Sequence, residues 1–313
     1  MTRVILVHGG AGAATKDEPA YRAGLLRAAE TGWSRLEGDG DAVAAAVAAV
    51  AAMEDDPVFN AGYGSVLNAS GEVECDAAVM RGADRKFGAI ASVRTVRNPV
   101  LLAHEVLDSR HVMVVGEGAV RFGARRGVAT VDPAQLITQE RFSAWAEWMA
   151  RGQPVLDGED ALEGLTPRTG LAGDPGCDTV GAVALDGRGR LAAATSTGGI
   201  SFKLPGRVGD SPLPGCGFWA DGRAAASSTG EGEKIARVLL CRVACERAAG
   251  GDLDLDPALA DLAAIDGSGG LILLAADGSW RAGYNTEMMG HAWRRDGMAA
   301  AECAGTRPSD RPA

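Results

Sequence analysis

The sequence predicts an α+β fold in which strand hairpins alternate along the chain with groups of helices. Three observations predict it. Strand-like apolar runs come in pairs, at about 73–80 with 86–93, 179–186 with 190–196, and 270–276 with 279–284. Helical patterns are grouped before and after those pairs. A stretch without periodicity, 151–177, divides the chain into two strand-rich parts and reads as a flexible linker. Two such parts, each with its own helices, can stack as helix–sheet–sheet–helix, and composition alone leaves that stacking open.

Residues 3–7 read as a buried strand, with His8-Gly9-Gly10-Ala11-Gly12 as the turn after it. Pro19 opens a helix with Leu25, Leu26, Ala29 and Trp33 at apolar positions. Asp41 is the expected N-cap of an Ala-rich helix reaching about Glu54, apolar almost all round and so packed between layers. Residues 55–70 form a turn-rich loop, and Gly82-Ala83-Asp84 turns the first hairpin. Asn98-Pro99 caps a helix to about Leu107, 111–115 is a buried strand, and helical stretches follow at about 117–126 and 133–149. Beyond the linker, Asp186-Gly187-Arg188-Gly189 signals a hairpin and 223–228 a strand. One helix is expected over about 231–249, with Glu231 and Glu233 in its first turn and Arg247 near its end to suit the dipole. A short helix near 257–264 precedes the last hairpin, and the tail from about Thr306 is expected to be disordered.

Composition excludes several classes of function. With 313 residues, 46% of them apolar, and a mean hydropathy near zero, the chain suits a soluble globular protein with a sizeable core. A formal net charge of -10 argues against nucleic acid or an anionic membrane as partner. The apolar run at 4–7 is too short for a signal peptide, and no stretch reaches membrane-spanning length, so a cytoplasmic setting is expected. The cysteines do not form a disulfide framework in a chain this long. Cys241 and Cys245, four apart on a helix and without a companion His, read as buried small side chains. No Gly-x-Ser-x-Gly elbow accompanies His8-Gly9-Gly10, no phosphate-binding loop occurs, and Arg121 replaces the third glycine after Gly116-Glu117-Gly118.

The chemistry centres on Gly176-Cys177-Asp178-Thr179-Val180-Gly181. Pro/Gly-rich chain runs up to Asp178, and a buried strand starts abruptly at Thr179, which is the layout of a hidden N-terminus. Cutting the Asp178–Thr179 bond would give Thr179 a free α-amine beside its own hydroxyl. That amine, with an ordinary pKa of about 8, is a ready base for a hydroxyl that is a poor nucleophile unaided. Taken alone, Thr179 reads as an ordinary strand residue. The surrounding segments change that.

Thr195-Ser196-Thr197-Gly198-Gly199, Pro205-Gly206-Arg207-Val208-Gly209-Asp210-Ser211-Pro212, Ser228-Thr229-Gly230-Glu231-Gly232-Glu233 and the opening His8-Gly9-Gly10-Ala11-Gly12 stand in order around Thr179. With them the chain resembles the plant-type asparaginase/isoaspartyl peptidase family of Thr-dependent N-terminal-nucleophile hydrolases, with glycosylasparaginase as close kin. The resemblance runs from His8 to about Trp293. It implies a four-layer αββα sandwich formed by a single domain, 1–313. Self-cleavage through attack of the Thr179 hydroxyl on the Asp178 carbonyl would divide it into 1–178, ending in a linker of about 151–178, and 179–313. Thr197 would orient the Thr179 end. Arg207 would clamp the substrate's α-carboxylate with its planar fork, and Asp210 would take the α-ammonium. Thr229 hydroxyl and Gly230 N–H would form the oxyanion hole, where losing one donor costs about 3 kcal/mol.

The resemblance further implies a structural sodium ion held by main-chain carbonyls of Met53, Glu54, Asp56, Phe59, Ala61 and Tyr63, with no cofactor for catalysis. Asn60 would support the nucleophile, and His8 reads as structural. The implied substrate is a small molecule, asparagine or a β-aspartyl dipeptide, and the implied assembly is a dimer of cleaved units. One departure favours glycosylasparaginase: Asp178 stands where the isoaspartyl peptidase branch commonly has Gly. His8-Gly9-Gly10-Ala11-Gly12 and Gly198 favour the isoaspartyl peptidase branch. The non-enzyme alternative, an inactive binding protein for acidic amino acids, is opposed by intact Thr179, Thr197 and Thr229.

Overall fold

The computed structural model describes residues 2–13, 17–38, 40–151 and 179–307. The first part runs β1 (Val4–Gly12), α1 (Glu18–Ser34), α2 (Ala42–Glu54), β2 (Cys75–Arg81), β3 (Lys86–Val93), α3 (Pro99–Leu107), β4 (Met113–Val115), α4 (Gly116–Ala124) and α5 (Gln139–Ala150). The second runs β5 (Val180–Leu185), β6 (Leu191–Thr197), β7 (Phe218–Ala220), β8 (Ala224–Gly230), α6 (Gly232–Val238), α7 (Leu240–Ala249), α8 (Asp256–Ala263), β9 (Gly269–Ala275), β10 (Trp280–Tyr284), β11 (Met288–Arg295) and β12 (Glu302–Ala304). The fold is therefore mixed, with helices and two sheets. An eight-stranded sheet has the order β12-β11-β1-β5-β6-β2-β3-β4, and a four-stranded sheet the order β10-β9-β8-β7.

Strand alternation explains how these parts pack. On β1, Ile5 and Val7 point into a cluster with Leu25, Ala46, Val50 and Leu102 of the first three helices, while Val4 and Leu6 point into a second cluster. That second cluster brings Met80, Val183 and Leu191 of the large sheet against Phe218, Ala225, Ile272 and Leu274 of the small one. Ala226, Leu271 and Leu273 face the other way, onto Ile235, Cys241, Ala244, Cys245 and Leu262. The large sheet is thus apolar on both faces, which is why its strands read as continuous apolar runs. Cys241 and Cys245 are core residues of α7, as expected. No helix among the described residues is long and apolar enough to cross a membrane.

Local signals place most elements correctly, and the departures have physical causes. Asp41 caps α2, accepting from Val43 N and Ala44 N. Asn98 does not cap α3 with its side chain; the buried Glu54 carboxyl group does so instead, accepting from Val100 N at 2.8 Å. The His8-Gly9-Gly10-Ala11-Gly12 segment is strand rather than turn, since β1 continues through it against β11 with a bulge between His8 and Ala11. Strand β4 is an exposed edge rather than a buried strand, with Val115 55% accessible. The single helix expected over 231–249 is two: Leu239 adopts φ 52 and ψ 46, a left-handed conformation that stops one helix and starts the next. Thr306 and Arg307 of the expected loose tail are held, Thr306 Oγ1 and Arg307 Nη2 donating to Glu18 at 2.8 and 3.0 Å. The expected linker lies outside the described residues beyond Arg151, as does Asp178.

Candidate active site

Thr179 stands at the start of β5, a strand between β1 and β6 in the large sheet. Val180 pairs with Ser196, and continuing that register sets Thr179 opposite Thr197. Its side chain is nearly buried, at 7% accessibility, with Oγ1 3.3 Å from the Ser211 hydroxyl. Ser211 is itself held, because its carbonyl accepts from Thr195 Oγ1 at 2.8 Å. Thr197 Oγ1 accepts from Gly199 N at 2.9 Å and so turns its own hydroxyl into part of the Gly198-Gly199 corner.

That corner is clamped from outside. Asn60 is fully buried; its side-chain amide donates to Gly199 O at 2.7 Å, and its main-chain carbonyl accepts from Gly198 N at 3.0 Å. Gly199 has φ +84, and the Cβ it lacks would lie 2.7 Å from Lys203 Cδ, so only glycine turns here. Lys203 is 1% accessible, donates to Glu74 O at 2.9 Å and sits 4.0 Å from Asp76 Oδ2. Burial pushes the Asp76 carboxyl above the usual carboxylate range, against the pull of Lys203.

The segment 205–212 supplies the charges. Arg207 keeps only 15% of its side chain accessible and grips Glu233 side-on, Nε donating to Oε1 at 2.7 Å and Nη2 to Oε2 at 2.6 Å. Burial opposes its charge, yet Glu233 holds the guanidinium above its ordinary pKa. Asp210 is 3% accessible; burial raises its carboxyl to about 6 while Arg207 pulls the other way. The Ser228 hydroxyl lies 3.2 Å from Asp210 Oδ2 and 3.0 Å from Cys216 O. Arg207 and Asp210 are therefore not a solvent-exposed ion pair.

Thr179, Thr197, Gly199, Arg207, Gly209, Asp210, Ser211, Gly230 and Gly232 line one pocket. Its volume is about 10 Å³, room for about one water. Gly230 has φ +137 and lies against Ser268 and Gly269, leaving no room for a side chain. Thr229, beside it on β8, is wholly buried and does not line this pocket. A larger cleft of about 660 Å³, lined by Trp280, Tyr284, His291 and Trp293, contains none of these residues. Chemistry rather than volume locates the site.

These motifs and their convergence have a counterpart in known proteins. The family model described as asparaginase matches residues 1–301. The chain belongs to the asparaginase family. It is similar to the isoaspartyl peptidase/L-asparaginase of Bos taurus, 41% identical over 305 residues that cover 95% of this chain and 94% of that one. The isoaspartyl peptidase of Escherichia coli strain K12 is 41% identical, covering 93% and 92%. The plant-type L-asparaginase of Pyrococcus horikoshii is 37% identical, covering 95% and 98%.

Within this asparaginase-family chain, several residues at the pocket were given no role at the site by the sequence, although Ser211, Ser228 and Glu233 lie inside the motifs. Ser211 touches Thr179, Lys203 underlies Gly199, and Ser228 meets Asp210. Glu233 lies in the first turn of α6, as expected, and also binds Arg207. His8 is fully buried, with Nε2 2.7 Å from Ser227 Oγ, and burial pushes its imidazole down to about 3. It stays uncharged and ties β1 to β8, between the two sheets.

The loop expected to hold sodium crowds main-chain oxygens. The Cβ that Gly62 lacks would lie 2.7 Å from both Glu54 O and Arg97 O, and that of Gly64 2.8 Å from Pro57 O and Phe59 O. Oxygens gathered in a turn suit a hard cation. Three of the expected donors also accept within the loop, Met53 O from Asp56 N, Glu54 O from Tyr63 N and Asp56 O from Phe59 N. Each carbonyl has a second lone pair, so these hydrogen bonds leave the donors able to bind a cation. No cluster of three or more His, Cys, Asp or Glu placed for a metal exists among the described residues.

Proposed function

We propose that this protein hydrolyses L-asparagine to L-aspartate and ammonia and cleaves β-aspartyl dipeptides, with Thr179 as N-terminal nucleophile. The observation that carries the reading is the single pocket that gathers Thr179, Thr197, Arg207, Asp210 and Gly230 from four separate motifs. The names of the relatives, isoaspartyl peptidase and L-asparaginase, support the same substrates. They favour this branch over glycosylasparaginase, toward which Asp178 pointed, and an enzyme over an inactive binding protein.

In the mechanism, the Thr179 hydroxyl first attacks the Asp178 carbonyl; the peptide C–N bond breaks as the ester forms, which frees the Thr179 α-amine, and water then hydrolyses the ester, leaving Asp178 as a carboxylate and restoring the Thr179 hydroxyl. Asp210 and Arg207 hold the substrate's ammonium and carboxylate, which sets its side-chain amide against Thr179 Oγ1. The α-amine takes the hydroxyl proton as oxygen adds to the amide carbon, and Gly230 N–H receives the oxyanion, joined by the Thr229 hydroxyl only if that buried side chain comes to face the pocket. The amine then protonates the departing nitrogen, leaving an acyl ester on Thr179. Water, deprotonated by the same amine, releases aspartate. Thr197 orients the amine end, and Asn60 keeps Thr197 in place through the Gly198-Gly199 corner.

The expected αββα stack is supported by the three apolar clusters, one under the first helices, one between the sheets and one under α7 and α8. A single domain, 1–313, cut into 1–178 and 179–313, is part of the same reading. So are a dimer of cleaved units, a cytoplasmic setting, and the sodium ion, which would fix the 53–63 loop beside Asn60 and supply no chemistry. Replacing sodium by choline should then lower the melting temperature while kcat is retained.

Mass spectrometry of the purified protein, with a substrate panel, tests the proposal. Two fragments dividing between Asp178 and Thr179, absent in Thr179→Ala, are expected. Aspartate should be released from asparagine or a β-aspartyl dipeptide faster than from glycosylasparagine. A stable full-length chain that still hydrolyses these substrates would overturn it.

A further inference from the structure

We propose that Glu233 is the positioning residue that aims Arg207, holding one edge of the guanidinium so that the other faces the pocket and selects substrates with a free α-carboxylate. The inference rests on the reading of Arg207 as the carboxylate clamp and adds a residue to it.

A guanidinium has two edges able to bind a carboxylate through parallel hydrogen bonds. Glu233 occupies the Nε/Nη2 edge, with bonds of 2.7 and 2.6 Å. The opposite side lies against two glycines of the pocket wall. A Cβ on Gly209 would sit 2.9 Å from Nη1 and 3.1 Å from Nη2, and one on Gly232 3.1 Å from Nη2. Nη1 and Nη2 thus lie beside two residues of the pocket wall that Thr179 also lines, and a side chain at 209 or 232 would crowd them.

Glu233 lies in the first turn of α6, with 61% of its side chain accessible, against 15% for Arg207. An exposed partner of this kind contributes little to stability. Its effect is geometric. A long, flexible side chain bound at one edge loses the rotamer freedom that would otherwise be lost when substrate binds. The competing idea is that Glu233 occupies the clamp as a stand-in carboxylate and must leave. The side-on grip argues against it, because the substrate can use the edge that Glu233 leaves open.

Steady-state kinetics of processed Glu233→Ala and Glu233→Gln, with asparagine and a β-aspartyl dipeptide, tests the assignment. KM should rise about tenfold in Glu233→Ala and less in Glu233→Gln, with kcat within twofold of the parent. Inhibition by L-aspartate should weaken in parallel. In an Arg207→Ala background, Glu233→Ala should change aspartate binding no further, since its effect passes through Arg207. An unchanged KM, a fall in KM, or an additive loss in that background would overturn the proposal. If Arg207→Ala itself leaves aspartate binding intact, the clamp reading fails, an outcome distinct from failure of Glu233 alone.

Discussion

The Asn60 side-chain amide donates to the Gly199 carbonyl at 2.7 Å, across a sequence separation of 139 residues, and so joins the turn-rich loop to the nucleophile's neighbour strand. Its Oδ1 also accepts from Val66 N at 2.9 Å. Asn60→Ala leaves a buried acceptor and a buried donor unmatched, at about 1–3 kcal/mol each. Urea denaturation should show a loss of about 2–5 kcal/mol. Activity should drop further than stability predicts, because Thr197 Oγ1 takes its bond from the same Gly199. A variant of unchanged kcat would show that Asn60 supports the fold alone.

How much of this was readable in advance varies with the kind of signal. Thr179, Thr197, Arg207, Asp210 and Gly230 stood in motifs, and those motifs meet in one pocket. Asp41, Pro19 and the Asp186 turn announced themselves through local capping and turn chemistry. Lys203 and Glu74 did not, because their roles arise from contacts between distant segments that no local pattern records, and Ser211 lay inside a motif without its contact to Thr179 being marked there. Strands β7, β11 and β12 carry no local signal for the same reason: they become strands by pairing with β8, β1 and β11 respectively. The helix break at Leu239 was hidden too, since Leu is a good helix former and the break serves docking, with Arg242 N donating to Gly215 O at 2.9 Å.

Leu239 offers a test of that last point. A non-glycine residue in the left-handed region costs about 1 kcal/mol, and its side chain is 47% accessible. Leu239→Gly should stabilise the protein by up to about 1 kcal/mol without touching activity. A raised melting temperature would agree. A lowered one would mean that packing of the Leu239 side chain outweighs the backbone strain.

Gly181 makes the opposite prediction. It faces His8 on β1, and a Cβ there would fall on Ser227 Oγ and His8 Nε2, where the two sheets are bonded at 2.7 Å. Neither partner is free to swing away, both being fully buried. Gly181→Ala should destabilise by about 3 kcal/mol or more through overpacking and the broken bond. Gly187→Ala, near only the flexible Arg3 side chain at 3.9 Å, is the matched control and should be close to neutral.

Asp210 should set the acid limb of activity. Burial raises its folded pKa to about 6 from an ordinary 3.8, despite Arg207 beside it, while Glu233 adds to the rise. The group must be ionised to hold the substrate's ammonium, so kcat/KM should fall below about pH 6, with the proton taken up by the free enzyme. Stability runs the other way. The folded state holds this proton more tightly than the unfolded chain, so its contribution is complete below pH 3.8 and is lost as pH rises through about 6. The difference amounts to about 3 kcal/mol at full ionisation. Asp210→Asn should therefore abolish substrate binding yet match or exceed the parent's stability at pH 7.5, while gaining nothing at pH 4. Urea midpoints at the two pH values, alongside the kcat/KM profile, separate these effects. An acid limb that stays near pH 4 would show that the carboxyl reaches water more freely than its burial implies.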